Sequence, residues 1–259
     1  MSDYKYTSED SELAGYAGKF HSRIGTAGGN HEADFFETVE MLAAIYRDGS
    51  LLDIGAGVGR LTGLVSGIVE ETVALEPDRG RWEICRKAMA NSPTCEVLNM
   101  TTTEYIAAHP HKKFDVVVIG MVLQHLSTAT CQQLLAEAAS LLSKNGVCVV
   151  FTTHALDRTR GFSYAKADED ERYLDREVFD RYASDHRLQA KGLPVRRFSK
   201  AELLDCLTPE FDVILWRQTS FYGDDIRPWF AQRLGVAPDD LKDVGNSQFV
   251  VAQHKRMAP

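Results

Sequence analysis

Residues 51–60 read Leu-Leu-Asp-Ile-Gly-Ala-Gly-Val-Gly-Arg, an apolar strand that runs through a carboxylate into three alternating glycines. No other stretch constrains the chain as strongly. Glycine has no Cβ, so the backbone can bend sharply there and lie against a ligand, and a helix that follows offers unpaired N–H groups in its first turn. Val73-Ala74-Leu75-Glu76 reads as the next buried strand and ends on a second carboxylate. An acid about 20 residues after such a turn, closing the second strand of a βαβ unit, is placed to hold a ribose diol.

The glycine spacing separates two cofactor classes. A dinucleotide-binding turn shows G-x-G-x-x-G, its third glycine allowing close helix–strand packing. Here Gly55, Gly57 and Gly59 alternate, and Arg60 stands where that pattern has its last glycine. The acid-x-Gly-x-Gly-x-Gly run resembles motif I of the class I S-adenosylmethionine-dependent methyltransferases, of the small-molecule type. That resemblance implies an acid at Asp53 orienting the amino-acid end of the cofactor and an acid at Glu76 holding both ribose hydroxyls.

Short apolar or β-branched runs at 51–54, 72–76, 95–98, 114–119 and 147–152 are separated by segments long enough for crossover helices, which predicts a doubly wound parallel sheet. Val116-Val117-Val118-Ile119 has no polar alternation, as expected of a central strand covered on both faces. Leu134, Leu135, Ala138, Leu141 and Leu142 fall at helical spacing between Ser127 and Ser143, and Lys144-Asn145-Gly146 is a stop signal. Phe211–Trp216 and Gln248–Ala252 read as two more strands.

The segment Phe114–Leu126 is similar to the methyltransferase stretch in which the fourth strand ends beside the sulfonium and a turn with His-Leu follows. With the family's third-strand end at Leu98–Thr101, the resemblance implies a cofactor shell of Asp53, Gly55, Gly57, Gly59, Arg60, Glu76, Pro77, Met100, Thr101, Gly120 and Met121. Many relatives carry an acid where Thr101 stands. The implied fold is α/β: a Rossmann-like seven-stranded, mostly parallel sheet with helices on both faces and an antiparallel C-terminal edge strand. The implied cofactor is S-adenosyl-L-methionine.

Composition agrees with an enzyme. The chain has 259 residues, 44% hydrophobic, enough for one substantial core with insertions. A net charge of −8 gives no reason to expect a nucleic-acid partner. Five cysteines at 85, 95, 131, 148 and 206, with no C-x-x-C pair, argue against a disulfide framework or zinc cluster and fit reduced thiols in the cytoplasm. No apolar run reaches the length of a membrane span or signal core, so no membrane partner is expected.

Three regions are expected: an N-terminal helical arm over 1–48, a cofactor domain formed by 49–155 and 198–259, and an inserted helical lid over 156–197. The arm carries Tyr16, Phe20, His21 and Arg23 ahead of a glycine-rich stretch, then apolar residues at helical spacing from Phe35 to Ala43. Leu174, Val178, Phe179 and Tyr182 mark an amphipathic helix in the insert. The run Asp168–Glu171 suits a solvated helix start better than a metal, and no metal is expected. Tyr16, Phe20, Arg23, Tyr164 and Tyr222 are the substrate-binding candidates.

A sulfonium is already a strong methyl donor, so the protein chiefly aligns a nucleophile and excludes water. An amine needs only to be deprotonated; a hydroxyl or carbon nucleophile profits from a general base. His125 and His154, just past the fourth and fifth strands, are the catalytic candidates, with helix-start packing the competing role for His125 and a surface loop for His154. The expected activity is methyl transfer to an O, N or C atom of a small molecule, in secondary metabolism, by a monomer or homodimer. The alternatives are a protein or peptide N-methyltransferase and a cofactor-binding regulatory protein.

Overall fold

The computed structural model describes residues 40–42, 44–155, 161–165, 172–185, 193–221, 224, 227–234, 236–242 and 244–255. Seven strands form one sheet: β1 (Ser50–Ile54), β2 (Glu71–Leu75), β3 (Cys95–Leu98), β4 (Phe114–Gly120), β5 (Leu142–Thr153), β9 (Phe211–Phe221) and β10 (Gly245–His254). Their spatial order is β3-β2-β1-β4-β5-β10-β9. The first five are parallel, and β10 runs antiparallel between β5 and β9, so the expected fold stands.

Side-chain alternation divides the core in two. On one face Leu52, Ile54, Val117, Ile119, Cys148 and Val150 pack under α3 (Thr102–Ala108), α4 (Thr128–Leu141) and α6 (Lys200–Leu207). On the other, Leu51, Val116, Val118, Val149, Phe151 and Phe249 meet α1 (Arg60–Val65) and the helical residues around Leu42. Each buried Val or Leu contributes about 1.5–3 kcal/mol. A strand such as β4, apolar at every central position, gains that on both faces only in mid-sheet.

Helix starts follow local chemistry. Asp78 accepts from Arg81 N–H at the start of α2 (Arg79–Ala88), and Ser127 does the same for Thr130 in α4. Ser199 with Glu202 forms a capping box on α6.

The insert contains more than its predicted helix. Antiparallel strands β6 (Phe162–Ala165), β7 (Arg172–Tyr173) and β8 (Leu193–Arg196) form a small sheet in the order β7-β6-β8, beside α5 (Arg176–Ser184). Phe179 of α5 packs on Phe162 at 5.1 Å between ring centroids, the apolar face that the sequence spacing marked. Asp180 accepts from the Thr128 backbone N–H at 2.8 Å, tying α5 to the first turn of α4. Arg196 is only 2% exposed and lies between the rings of Phe162 and Phe198. The last helix described is α7 (Arg227–Leu234).

Candidate cofactor site at the carboxyl edge of the sheet

The turn after β1 is built by backbone bonds. Gly55 and Ala56 N–H groups both donate to the Leu75 carbonyl, joining the ends of β1 and β2. The three glycines then do different work. A Cβ on Gly55 would stand 2.5 Å from Val122, and one on Gly59 2.8 Å from Cys85 Sγ. Both positions are therefore demanded by packing. Gly57, at φ 60°, would meet nothing within 4 Å, so it is the glycine whose bare backbone faces open space.

Two buried carboxylates flank that turn. Asp53 is 1% exposed and accepts one hydrogen bond, from Thr62 Oγ1 at 2.6 Å. Burial pushes its pKa up to about 6, against the lowering effect of that bond. Glu76 is 4% exposed; Oε2 accepts from Gly57 N–H at 2.7 Å and Oε1 from Asp78 N–H at 2.8 Å. Burial raises its pKa too, opposed by the Asp78 N–H, the Arg81 charge and the Gly57 N–H.

The donor set fits S-adenosylmethionine. A buried carboxylate with a raised pKa is matched by a cation, which the α-ammonium of a bound cofactor would provide at Asp53. Each Glu76 oxygen has a second lone pair to accept a ribose hydroxyl while keeping its backbone bond.

Other predicted shell residues have mixed roles. Pro77 accepts at its carbonyl from Asn99 Nδ2, which also binds the Glu76 carbonyl and so clamps β2 to β3. Arg60 opens α1 with an exposed side chain. Met100 packs half-buried against the α3–α4 core. Thr101, in the expected cofactor shell, caps α3 with its hydroxyl, in a capping box with Glu104. Gly120 lies against α1, because a Cβ there would stand 2.3 Å from Leu61. Met121 has φ 57°, uncommon for a residue with a Cβ, and its N–H binds the Phe151 carbonyl at 2.7 Å.

The two histidines differ. His125 Nδ1 lies 2.8 Å from the Pro194 carbonyl; a carbonyl only accepts, so Nδ1 carries the proton and Nε2 faces the Gln124 amide at 3.3 Å. Gln124 in turn accepts from Thr152. Burial pushes the His125 pKa down to about 4, so it is a neutral tether between the post-β4 turn and β8. His154 gives its Nδ1 proton to the Gly245 carbonyl at 3.0 Å and lies edge-on to Trp216. Burial lowers its pKa, against that bond. Nε2 is left as the basic nitrogen.

Tyr16, Phe20, Arg23 and Tyr222, with the run 168–171, lie outside the described residues; Tyr164 is placed by its backbone alone, in β6. Among the described residues no three His, Cys, Asp or Glu side chains converge as a metal site would require. Thr62, Val122, Asn99 and Gln124 were not singled out from the sequence. Only the Asp53–Thr62 spacing on a helix start could have signalled one of them.

A parallel α/β sheet whose first turn presents a bare glycine backbone between two buried carboxylates defines a nucleoside-cofactor-binding protein of the doubly wound class. Residues 52–150 match the methyltransferase domain family. That stretch is similar to a methyltransferase domain, and S-adenosylmethionine is the cofactor such a domain uses.

Solved structures share the fold. DhpI in complex with S-adenosylhomocysteine is 13% identical, with a TM-score of 0.60, over 96% of this chain and 97% of that one. The N-methyltransferase NodS from Bradyrhizobium japonicum is 9% identical, with a TM-score of 0.56, over 87% and 97%. The pyocyanin biosynthetic protein PhzM is 14% identical, with a TM-score of 0.50, over 81% and 51%. No curated protein matches the sequence.

Cofactor affinity is expected to fall as pH drops through about 6, because protonating Asp53 removes the charge facing the ammonium. For the fold the sign is opposite: a carboxyl whose folded pKa lies above its unfolded value contributes most at low pH, and that contribution is lost as pH rises through about 6. Calorimetric titration of S-adenosylhomocysteine between about pH 5 and 8 checks the first statement. A wild-type profile as flat as that of Asp53→Asn contradicts it.

Proposed function

We propose that this enzyme methylates a small-molecule acceptor in secondary metabolism, with His154 as general base and the insert 156–197 and arm 1–48 closing the pocket over the cofactor domain. The observation that carries the base assignment is the hydrogen bond from His154 Nδ1 to the Gly245 carbonyl, which leaves Nε2 unprotonated near the carboxyl end of β5. His125 lacks that freedom, since both its ring nitrogens are engaged.

When bound, S-adenosylmethionine supplies an electrophilic methyl group. The protein's own part is to hold the ammonium at Asp53 and the ribose at Glu76, to keep water out, and to take a proton from the acceptor at His154 Nε2. A small acceptor is supported by the acidic net charge of −8 and by the names of structural relatives, an N-methyltransferase and a biosynthetic protein. A cytoplasmic setting is supported by all five cysteines being free thiols, four of them buried. Among the described residues no helix is long and apolar enough to cross a membrane.

The test is transfer of tritium from labelled cofactor into a cell extract, separated into small-molecule and macromolecular fractions. Label in the small-molecule fraction is expected; label confined to protein overturns the acceptor assignment. For an O or C acceptor, His154→Ala should lower kcat by roughly 100-fold or more while the affinity for S-adenosylhomocysteine stays unchanged. Unchanged kcat removes His154 as the base.

A further inference from the structure

Three hydroxyls stand in one row at the carboxyl end of β5. Ser247 of β10 pairs with Thr153 of β5 on one side and with Thr219 of β9 on the other, so the three side chains share one face of the sheet. Thr153 uses its hydroxyl, donating to the Arg196 carbonyl at 2.5 Å. Ser247 and Thr219 do not. They are 1% and 2% exposed, and neither hydroxyl has a hydrogen-bond partner.

Burying a hydroxyl unpaired is unfavourable, and most buried polar side chains find a partner. Thr72 is another such hydroxyl, but it stands alone near the opposite end of the sheet, in β2. Ser247 and Thr219 are direct cross-strand neighbours, a spacing at which two hydroxyls can reach one group.

Their surroundings point to the reaction. The next row on the same face is Phe151, Phe249 and Arg217, with the Arg217 guanidinium over the Phe249 ring. Met121 packs against the cluster holding Phe151 and Phe249, and its N–H binds Phe151. The hydroxyl row follows the Phe151–Phe249–Arg217 row toward the carboxyl end of β5, with Thr153 on the strand next to β4, Ser247 on the second strand from it and Thr219 on the third.

We propose that Ser247 and Thr219 form the polar floor of the acceptor pocket and donate hydrogen bonds to an oxygen-bearing group of the methyl acceptor: a hydroxyl, carbonyl or carboxylate. This rests on the small-molecule assignment above and narrows its substrate class. The hydroxyls select and orient the acceptor; they have no part in holding the cofactor.

Benzyl alcohol, benzoate and toluene serve as matched probes of that floor, titrated by ligand-observed NMR into the full chain saturated with S-adenosylhomocysteine. The oxygen-bearing probes should bind at least tenfold tighter than toluene. Thr219→Val with Ser247→Ala should erase that preference, leave toluene and S-adenosylhomocysteine binding unchanged, and leave the thermal midpoint no lower, because the change removes two unsatisfied groups. Thr219→Ser alone should retain the preference. Equal binding of all three probes by the wild type, or a preference that survives the double substitution, overturns the proposal. Failure of the wild type to bind S-adenosylhomocysteine would instead bring down the methyltransferase assignment.

Discussion

Glu76→Gln should weaken S-adenosylhomocysteine binding nearly as much as Glu76→Ala, by roughly 10- to 100-fold or more. Both carboxylate oxygens accept backbone N–H groups, from Gly57 and from Asp78. An amide of the same shape offers one oxygen, so one of those donors would face an NH2 group and lose its partner. A hydrogen bond to a charged group contributes about 1.5–3 kcal/mol, and each 1.4 kcal/mol is tenfold in affinity. The lost bond also loosens the Gly57 turn, so the damage falls on the pocket as well as on the ribose. Calorimetry on the three proteins decides: a glutamine variant that binds like wild type would mean that the carboxylate acts on the ribose alone.

Gly59→Ala should cost the fold, whereas Gly57→Ala should cost the ligand. At Gly59 an added Cβ meets both a φ of 87° and a sulfur 2.8 Å away in α2, whose buried Cys85 has little room to move. The left-handed backbone costs about 1–2 kcal/mol and the overpacking about 1–3 more. For a domain of this size that corresponds to a fall of roughly 10 °C in Tm. Gly57→Ala carries only the backbone cost, since nothing lies within 4 Å, but its methyl group would occupy the surface where the cofactor approaches. Thermal melts and S-adenosylhomocysteine titrations should therefore rank the two variants in opposite orders, and the same order in both experiments would refute this division.

The parallel sheet was legible because its signals are local. Unbroken apolar runs such as Val116–Ile119 mark buried strands, and Asp53, Gly57 and Glu76 lie within two consecutive strand–turn units. The doubly wound class follows from those runs, while the seven-stranded sheet and the cofactor class were implied by the resemblance to the methyltransferase family. The small sheet was not legible, since Phe162–Ala165 and Leu193–Arg196 pair across a long sequence separation and neither alternates clearly. The predicted roles of Thr101 and Gly120 came from resemblance. Thr101 is drawn to Glu104 three residues on, a capping pair within one turn, and Gly120 to Leu61, a contact no local pattern encodes.

The sequence by itself determined the doubly wound class, the acid–glycine turn and the two carboxylates, because strand periodicity, turn chemistry and acid spacing act over a few neighbouring residues. Tertiary structure alone decided which glycine faces open space, which histidine keeps a basic nitrogen, and that Thr153, Ser247 and Thr219 share a row. Those properties depend on the partner that long-range packing brings to each group: Val122 to Gly55, Gly245 to His154, one strand's register to the next.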